Sequence, residues 1–407
     1  MDPLSYLFSL EQFGIKLGLD NSAAIVARLG HPERAFHSIH IAGTNGKGSV
    51  TAMVDAALRA AGHRSARYTS PHLVALEERF VIDGRPVARD AMIAAVADVR
   101  DAVESLRADG SLDVQPTFFE VTTAAAFELF RRAGVETAVL EAGLGGRLDS
   151  TNVVSPIATA ITSIALDHEQ YLGSTLAGIA AEKAGIIKPG VPVVIGDLAP
   201  DALAVIERVA RARGADVIRS TAADAAPFTV GLRGRHQTAN AGIAVRLLHV
   251  VHARGLAAPA SAIARGLAAP GWPGRLDLRR LPDGRELLMD AAHNPAGAAS
   301  LASYLRERQT APAPLVFAAM RDKNIAGILT ALAPAIDSLV VTRASHPRSA
   351  EPSAIAEQAR AVAPSLPVSI EPSPDAALAA AWRRSNTIVV AGSIFLLGDV
   401  LRLVDGS

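Results

Sequence analysis

The stretch His37-Ser-Ile-His-Ile-Ala-Gly43-Thr44-Asn45-Gly46-Lys47-Gly48-Ser49-Val50 decides the fold class. Its first six residues read as a strand ending at a glycine-rich turn. Gly48 to Ala61 then carries apolar residues at helical spacing until Gly62 stops the run. A strand, a glycine-rich turn and a helix in that order make an anion cradle. The glycines let the backbone wrap a phosphate, and the helix start offers unpaired N–H groups at the positive end of its dipole. From such a turn Lys47 reaches the β- and γ-phosphates of a nucleotide, with a hydroxyl nearby for magnesium. Two positions depart from the usual phosphate loop. Ile41 stands at the first glycine position, and Gly48 separates the lysine from Ser49.

The same alternation continues outward. Thr137 to Glu141, Ile157 to Ala165 and Val191 to Ile195 are predicted strands. Thr122 to Ala133, Thr175 to Ala184 and Asp201 to Arg213 are predicted helices. This order predicts an α/β fold with a mainly parallel sheet. Ala269-Pro-Gly-Trp-Pro-Gly-Arg275 breaks the pattern, because its prolines and glycines make a poor helix and a good linker. Beyond it alternation restarts, with strands expected at Leu287 to Met289, Leu315 to Ala318, Ser338 to Thr342 and Thr387 to Val390. The expected division is therefore a larger unit, residues 1–271, and a smaller α/β unit, residues 272–407. Ile388 to Leu397, broken by Gly392 and Ser393, reads as a core strand with its exit loop and is too short to span a membrane.

Composition narrows the function classes. Of 407 residues half are hydrophobic and a fifth charged, which argues for packed cores rather than disorder. Forty basic residues balance forty acidic ones, so neither a nucleic acid nor an acidic membrane is an expected partner. No cysteine is present, which removes disulfides, thiolate metal sites and a cysteine nucleophile. The start lacks a basic segment followed by an apolar run, so a cytoplasmic protein is expected.

A triphosphate undergoing transfer needs magnesium and hard oxygen ligands. Glu141 ends a predicted strand just before Gly143-Leu-Gly-Gly, and Asp290 follows the apolar Leu287-Leu-Met. Open α/β sheets place ligands at such carboxyl ends. Taken alone, the other candidates have ordinary readings. Ser70 is a turn serine before proline, His168 a hydrogen-bonded loop histidine, Lys183 a solvated helix lysine and Arg275 a linker arginine.

The motifs together say more. Gly43-Thr-Asn-Gly-Lys-Gly-Ser49 resembles the nucleotide loop of the Mur ligase superfamily and, within it, of the folylpolyglutamate synthase and dihydrofolate synthase family. Tyr68-Thr-Ser-Pro-His-Leu73, Glu141-Ala-Gly-Leu-Gly-Gly-Arg-Leu-Asp-Ser-Thr-Asn152, Leu166-Asp-His-Glu-Gln-Tyr-Leu-Gly173 and Glu182-Lys-Ala-Gly-Ile-Ile-Lys188 look like that family's signatures. Gly234-Arg-His-Gln-Thr-Ala-Asn-Ala241, Trp272-Pro-Gly-Arg275 and Asp290-Ala-Ala-His-Asn-Pro295 follow in family order. Only 42 residues precede Gly43, too few for the UDP-sugar domain of the cell-wall Mur ligases, so a peptidoglycan substrate is not expected. The fold the resemblance implies is a P-loop, Mur-ligase-like ATP-binding domain followed by a smaller Rossmann-like α/β domain.

The resemblance also implies a site. Gly43, Thr44, Asn45, Gly46, Lys47, Gly48 and Ser49 would cradle ATP, Asn240 and Arg275 would contact it, and Asp290 and His293 would reach it from the second unit. His236 and Gln237 sit close by in sequence. Ser70, Glu141 and His168 would bind magnesium, with room in the family for a second magnesium and a potassium ion. Lys183 would be carbamylated, turning a cation into an anionic oxygen donor, which requires a buried amine of lowered pKa. Lys47, Glu141, His168 and Lys183 would carry the catalysis. Gly14 to Leu17, Thr117-Phe118-Phe119-Glu120 and Leu148-Asp149-Ser150 would bind the pterin. Phe118 and Phe119 read equally well as core aromatics. Asp322, Lys323, His346 and Arg348 would line the cleft, with Arg348 suited to a glutamate carboxylate.

The expected function is ATP-dependent ligation of L-glutamate to a folate or dihydropteroate carboxylate through an acyl phosphate, in a monomer. Lys16 suits an extra glutamyl carboxylate, which favours polyglutamylation of tetrahydrofolate alongside dihydrofolate synthesis. A Mur-type ligase acting on another carboxylate and a non-enzymatic nucleotide switch are the competing readings. Retention of lysine, glutamate and histidine at the chemical positions speaks against the switch.

Overall fold

The computed structural model describes residues 2–14, 16–308 and 311–405, so Ile15 of the Gly14–Leu17 segment lies outside the described residues. Fourteen strands lie in two sheets among the described residues. The first sheet comprises β1 His37–Ala42, β2 Ser65–Tyr68, β3 Phe80–Ile82, β4 Arg85–Pro86, β5 Thr137–Glu141, β6 Ala158–Ile161, β7 Val193–Ile195 and β8 Val217–Arg219. The second comprises β9 Asp277–Arg280, β10 Glu286–Met289, β11 Ala313–Phe317, β12 Ile336–Val341, β13 Val368–Ile370 and β14 Thr387–Ala391. Their orders are β4-β3-β2-β5-β1-β6-β7-β8 and β13-β12-β11-β14-β10-β9. Both sheets are parallel except at one edge, where β3 and β4 run antiparallel in the first and β9 in the second.

β1 lies between β5 and β6 in parallel register, with Ile41 opposite Glu141 and Ala42 opposite Ile161. A central parallel strand is covered on both faces, and all of β1 after His37 is buried. Ile39 and Ile41 point into a core shared with helices Lys47–Ala60, Arg235–Ala253 and Ala260–Ala268. Each of these side chains, fully buried, contributes about 1.5–3 kcal/mol. On the opposite face Ala138 and Leu140 of β5 meet Phe127 and Phe130 of helix Phe118–Arg132. β1, β2, β5 and β6 thus end together, and the loops after them form one rim.

Three expected elements differ from the structure. The strand expected to run on to Ala165 stops at Ile161, because Thr162 and Ser163 turn to bond the phosphate loop. The helix expected from Thr122 begins at Phe118, where Thr117 and Glu120 form a capping box. The apolar run after β14 bends at Gly392, φ +101°, and becomes helix Ile394–Asp405 rather than an exit loop. The Pro/Gly stretch 269–276 carries no helix or strand, as expected.

Helix Ala260–Ala268 lies against helix Lys47–Ala60 so closely that a Cβ at Gly266 would stand 2.5 Å from Ala57 Cα. Gly266→Ala is therefore expected to lower stability by about 1–3 kcal/mol. Urea unfolding checks this, and a loss under about 0.5 kcal/mol would show that the two helices separate freely.

Candidate active site

The phosphate loop is held from outside by the segment after β6. Thr44 N–H donates to Ser163 O at 2.7 Å, and Asn45 N–H to Ser163 Oγ at 2.9 Å. Thr162 Oγ1 donates to Asn45 O at 2.6 Å. Thr44 Oγ1 both donates to Ala165 O and accepts from Ala165 N–H. Gly46 takes φ +87°, and a side chain there would collide with Asn240 Oδ1. Asn240, on helix Arg235–Ala253, is in turn oriented by donating to Gln237 Oε1 at 3.0 Å. Helix Lys47–Ala60 then starts with Gly48 and Ser49 buried at its N-terminus.

Two ammonium groups meet at this loop. Lys47 Nζ donates to Gly43 O at 3.1 Å and Thr44 O at 3.2 Å, and Lys183 Nζ donates to Gly43 O at 2.8 Å. Lys183 is only 4% exposed. Burial, with Lys47 adding repulsion, brings its pKa down to about 7. Glu141, at the end of β5, lies 4.0 Å from Lys47 Nζ and accepts from Ser70 N–H at 3.4 Å. Burial raises its carboxyl pKa, while Lys47 and Arg275 pull it back.

A second cluster bridges the two sheets. Asp167 pairs with Lys323 Nζ at 2.6 Å, accepts from Asn294 Nδ2 at 3.0 Å and lies 3.4 Å from His293 Nε2. Burial would raise the Asp167 pKa, but His293, Lys323 and His168 together hold it well below the carboxylate range. Asn45 and Asn294 exchange side-chain hydrogen bonds at 3.0 and 3.2 Å. His168 Nε2 faces Lys323 Nζ at 3.3 Å, and burial with that lysine lowers its pKa to about 4. Asp167, His168, Asn294, Asp322 and Lys323 line a cavity of about 90 Å³. Arg348 stands at its edge, half exposed and 3.7 Å from Asp322. His346 stacks on Phe395 with ring centres 4.0 Å apart.

Asp290 follows β10 and accepts from Leu276 and Ala292 N–H, each at 2.9 Å. Burial raises its pKa, with Arg275 opposing. Arg275 donates to Gly274 O at 3.1 Å, and His293 Nδ1 meets Ala291 O at 2.8 Å.

Three further segments converge on the loop after β5. Phe119 packs on Gly143, where a Cβ would come within 2.5 Å of its ring, and lies 6.0 Å from Tyr68. Phe118 lies 6.2 Å from Phe8. Gly18 N–H donates to Leu148 O at 3.4 Å. Asp149 accepts from Leu144 N–H at 2.8 Å and from Thr151, and burial raises its pKa. Thr117 and Glu120 spend their polar atoms on each other, with Glu120 Oε2 taking both Thr117 N–H and Oγ1–H. Ser150 is buried beside Asp149.

Residues 274–394 match the family described as Mur ligase, glutamate ligase domain. The dihydrofolate synthase/folylpolyglutamate synthase of Bacillus subtilis is 36% identical over 347 residues, covering 79% of this chain and 80% of that one. The chain belongs to this family. A probable bifunctional folylpolyglutamate synthase/dihydropteroate synthase of Haloferax volcanii is 34% identical over 98% of the chain, which spans 50% of that relative's length. Mycobacterium tuberculosis folylpolyglutamate synthase, solved with ADP and AMPPCP, superposes with a TM-score of 0.89 at 34% identity, over 99% of this chain and 98% of that one. The bifunctional folylpolyglutamate synthase/dihydrofolate synthase of Yersinia pestis, solved with AMPPNP and a manganese ion, gives 0.85 at 30% identity, over 99% and 97%.

The two-sheet fold of the folylpolyglutamate synthase family therefore holds Gly43–Ser49, Lys47, Ser70, Glu141, Lys183 and Asn240 around one loop. It brings His168, Asp290, His293 and Arg275 to the facing side. Asp167, Asn294 and their bonds across the cleft were missed in the sequence reading, although both residues sit inside the quoted motifs next to His168 and His293. Among the described residues no three of His, Cys, Asp or Glu form a metal-holding group. Magnesium does not ask for one. It is held by one or two carboxylates together with phosphate oxygens and water, and the buried Glu141 beside Ser70 fits that need.

Asp167 and Lys323 are each 8% exposed at the side chain. Asp167→Asn or Lys323→Met alone strands a buried charge and is expected to cost about 3 kcal/mol. The double substitution should recover much of that loss, as read by urea unfolding, and equal additive losses would show that the pair is not coupled.

Proposed function

We propose that this chain ligates L-glutamate to the carboxylate of tetrahydrofolate and of dihydropteroate, consuming ATP and releasing ADP and phosphate. The observation that carries this reading is the convergence of Lys47, Lys183, Glu141 and Ser70 on the Gly43 loop at the carboxyl ends of β1, β2 and β5. A lone nucleotide switch needs the loop but gains nothing from that set. Family membership, and relatives named for both activities, supply the substrates. We place the ATP- and pterin-binding unit at residues 1–271 and the glutamate-ligase unit at 272–407, acting as a monomer in the cytoplasm. No helix among the described residues is long and apolar enough to cross a membrane.

In this reading a carboxylate oxygen of the acceptor, the aryl carboxylate of dihydropteroate or a glutamyl carboxylate of tetrahydrofolate, attacks the γ-phosphorus, the bond from that phosphorus to the β–γ bridging oxygen breaks, and ADP leaves. The amine of glutamate then attacks the acyl carbon, and the tetrahedral intermediate expels phosphate. Lys47 and the loop N–H groups stabilise the charge that develops on the phosphates. Ser70 and Glu141 would hold magnesium, with His168 the third donor, and the ion would add further charge neutralisation at the transferring phosphoryl group. Asn240 and Arg275 flank the nucleotide, and Asp290 and His293 close on it from the second sheet. Phe118, Phe119 and the Leu148–Ser150 turn frame the pterin, with Thr117 and Glu120 fixing the helix that carries the two phenylalanines. Arg348 receives a carboxylate of glutamate.

Supplying ATP, magnesium and labelled glutamate with tetrahydrofolate or dihydropteroate separately tests the reading. Incorporation is expected with each. Incorporation with neither would return the chain to a ligase of another carboxylate. In the same assay Lys47→Ala is expected to lower the rate at least ~100-fold with the fold retained.

Lys183 is proposed to be carbamylated. Only a neutral amine adds carbon dioxide, and a pKa of about 7 leaves much of Lys183 neutral at physiological pH. Carbon-13 bicarbonate should therefore give a carbamate resonance that fades as pH falls through about 7 and is missing in Lys183→Ala. A spectrum that is the same for both proteins would refute the modification.

A further inference from the structure

Arg79 is a buried cation without an anion. It sits directly before β3 and is only 8% exposed. Its carbonyl accepts from Thr69 N–H at 3.1 Å, which fixes it beside Ser70. Its Nε donates to His72 Nδ1 at 2.9 Å, and its guanidinium lies over the Phe118 ring, 5.1 Å from the centre. His72 does not pair its charge as an acid would. The Arg79 Nε–H can only donate, so His72 Nδ1 accepts with its lone pair and the ring is neutral. Tyr68 acts on Arg79 both electrostatically and through a side-chain hydrogen bond, and Glu11 and Glu141 act on it by charge alone, without an ion pair to it among the described residues. Arginine is rarely buried unless paired, because an unpaired interior charge loses its hydration without compensation. The other arginine comparably enclosed near this rim, Arg67, has Asp55 at 3.3 Å.

The surroundings specify what would complete it. Phe118 offers an aromatic face, and Phe8, which touches it, is 47% exposed. Ser70 follows the Thr69 that bonds the Arg79 carbonyl and donates its N–H to Glu141, whose charge is felt at Arg79. A ligand fitting this place has a flat ring and a carboxylate attached to it.

We propose that Arg79 receives the carboxylate of the aryl-carboxylate substrate, holding it toward the phosphate loop while the adjoining ring packs on Phe118 and Phe8. This assignment rests on the folate reading above. A guanidinium fork suits a carboxylate through two parallel N–H···O bonds, and a lysine would not reproduce it.

The test compares binding of pteroate and of its primary amide, by calorimetry with ADP and magnesium present. The native chain is expected to favour pteroate at least ~10-fold, since charge-assisted bonds to a buried arginine are strong. Arg79→Gln should bind both alike, with ADP affinity unchanged as the check of folding. A folded Arg79→Gln that keeps the native preference overturns the assignment. A crystal structure of the native chain with pteroate decides independently of any variant, and a carboxylate seated away from Arg79 also overturns it. If the native chain binds neither compound, the folate reading itself falls. Binding of pteroate with no preference over the amide removes only Arg79.

Discussion

Two ammonium groups share one backbone carbonyl, and the rest of the site follows from that. Lys47 and Lys183 both donate to Gly43 O, and their mutual repulsion in a buried place is part of what lowers the Lys183 pKa. Lys47 has Thr44 O and the distant Glu141 carboxylate besides, whereas Lys183 has the Gly43 carbonyl, and one carbonyl dipole does little to offset a desolvated charge. The fold nonetheless holds them together. Lys47 opens the helix after β1, Lys183 comes from helix Leu176–Ala184, and the Thr162–Ser163 hydroxyls fasten the loop between them. A polyphosphate would relieve Lys47, and the carbamylation proposed above would relieve Lys183.

Much of this was legible in sequence, for a local reason. The strand, turn and helix of the phosphate loop are specified by residues next to one another, so periodicity and glycine placement suffice to read them. The same holds for Glu141 and Asp290, whose positions at strand ends follow from the apolar runs before them. What was not legible depends on distant partners. Nothing near Thr162 signals that β6 will stop to bond Asn45, since the partner lies over a hundred residues away. Thr117 and Glu120 sit at capping-box spacing, which the structure uses, while their substrate role was implied by the family resemblance alone. Arg79 looks like one of many charged residues until the fold buries it without a carboxylate.

The contact between the two sheets is polar where it meets the cleft. Asn45 with Asn294, and Asp167 with Lys323 and His293, join the phosphate loop to the turns of the second unit. Apolar packing also crosses, where Leu73 and Val74 meet the core beneath helix Ile394–Asp405. Polar bridges at the cleft have a consequence for catalysis. They hold the second unit in register while leaving the donors among them, Lys323, Asn45 and Asn294, able to exchange a partner for a phosphate or a carboxylate. His168 illustrates this. It faces Lys323 here, and the family resemblance places it among metal donors. Both arrangements need the neutral imidazole that its lowered pKa supplies.

Zero net charge conceals a strong local separation. Lys47, Lys183, Arg275 and Arg79 crowd the rim of the first sheet, where among acids Glu141 is the one in closest reach of Lys47. A chain with basic excess over its whole surface would attract polyanions of any size. Here Lys183 and Arg79 are buried and Lys47 and Arg275 partly so, with Phe118, Phe119 and the buried capping pair nearby, so charge is offered to a ligand small enough to enter. The chemistry that best uses such a place brings a carboxylate and a phosphoryl group together despite their mutual repulsion. Neutralising both at once, from side chains already stripped of water, is what makes their union accessible.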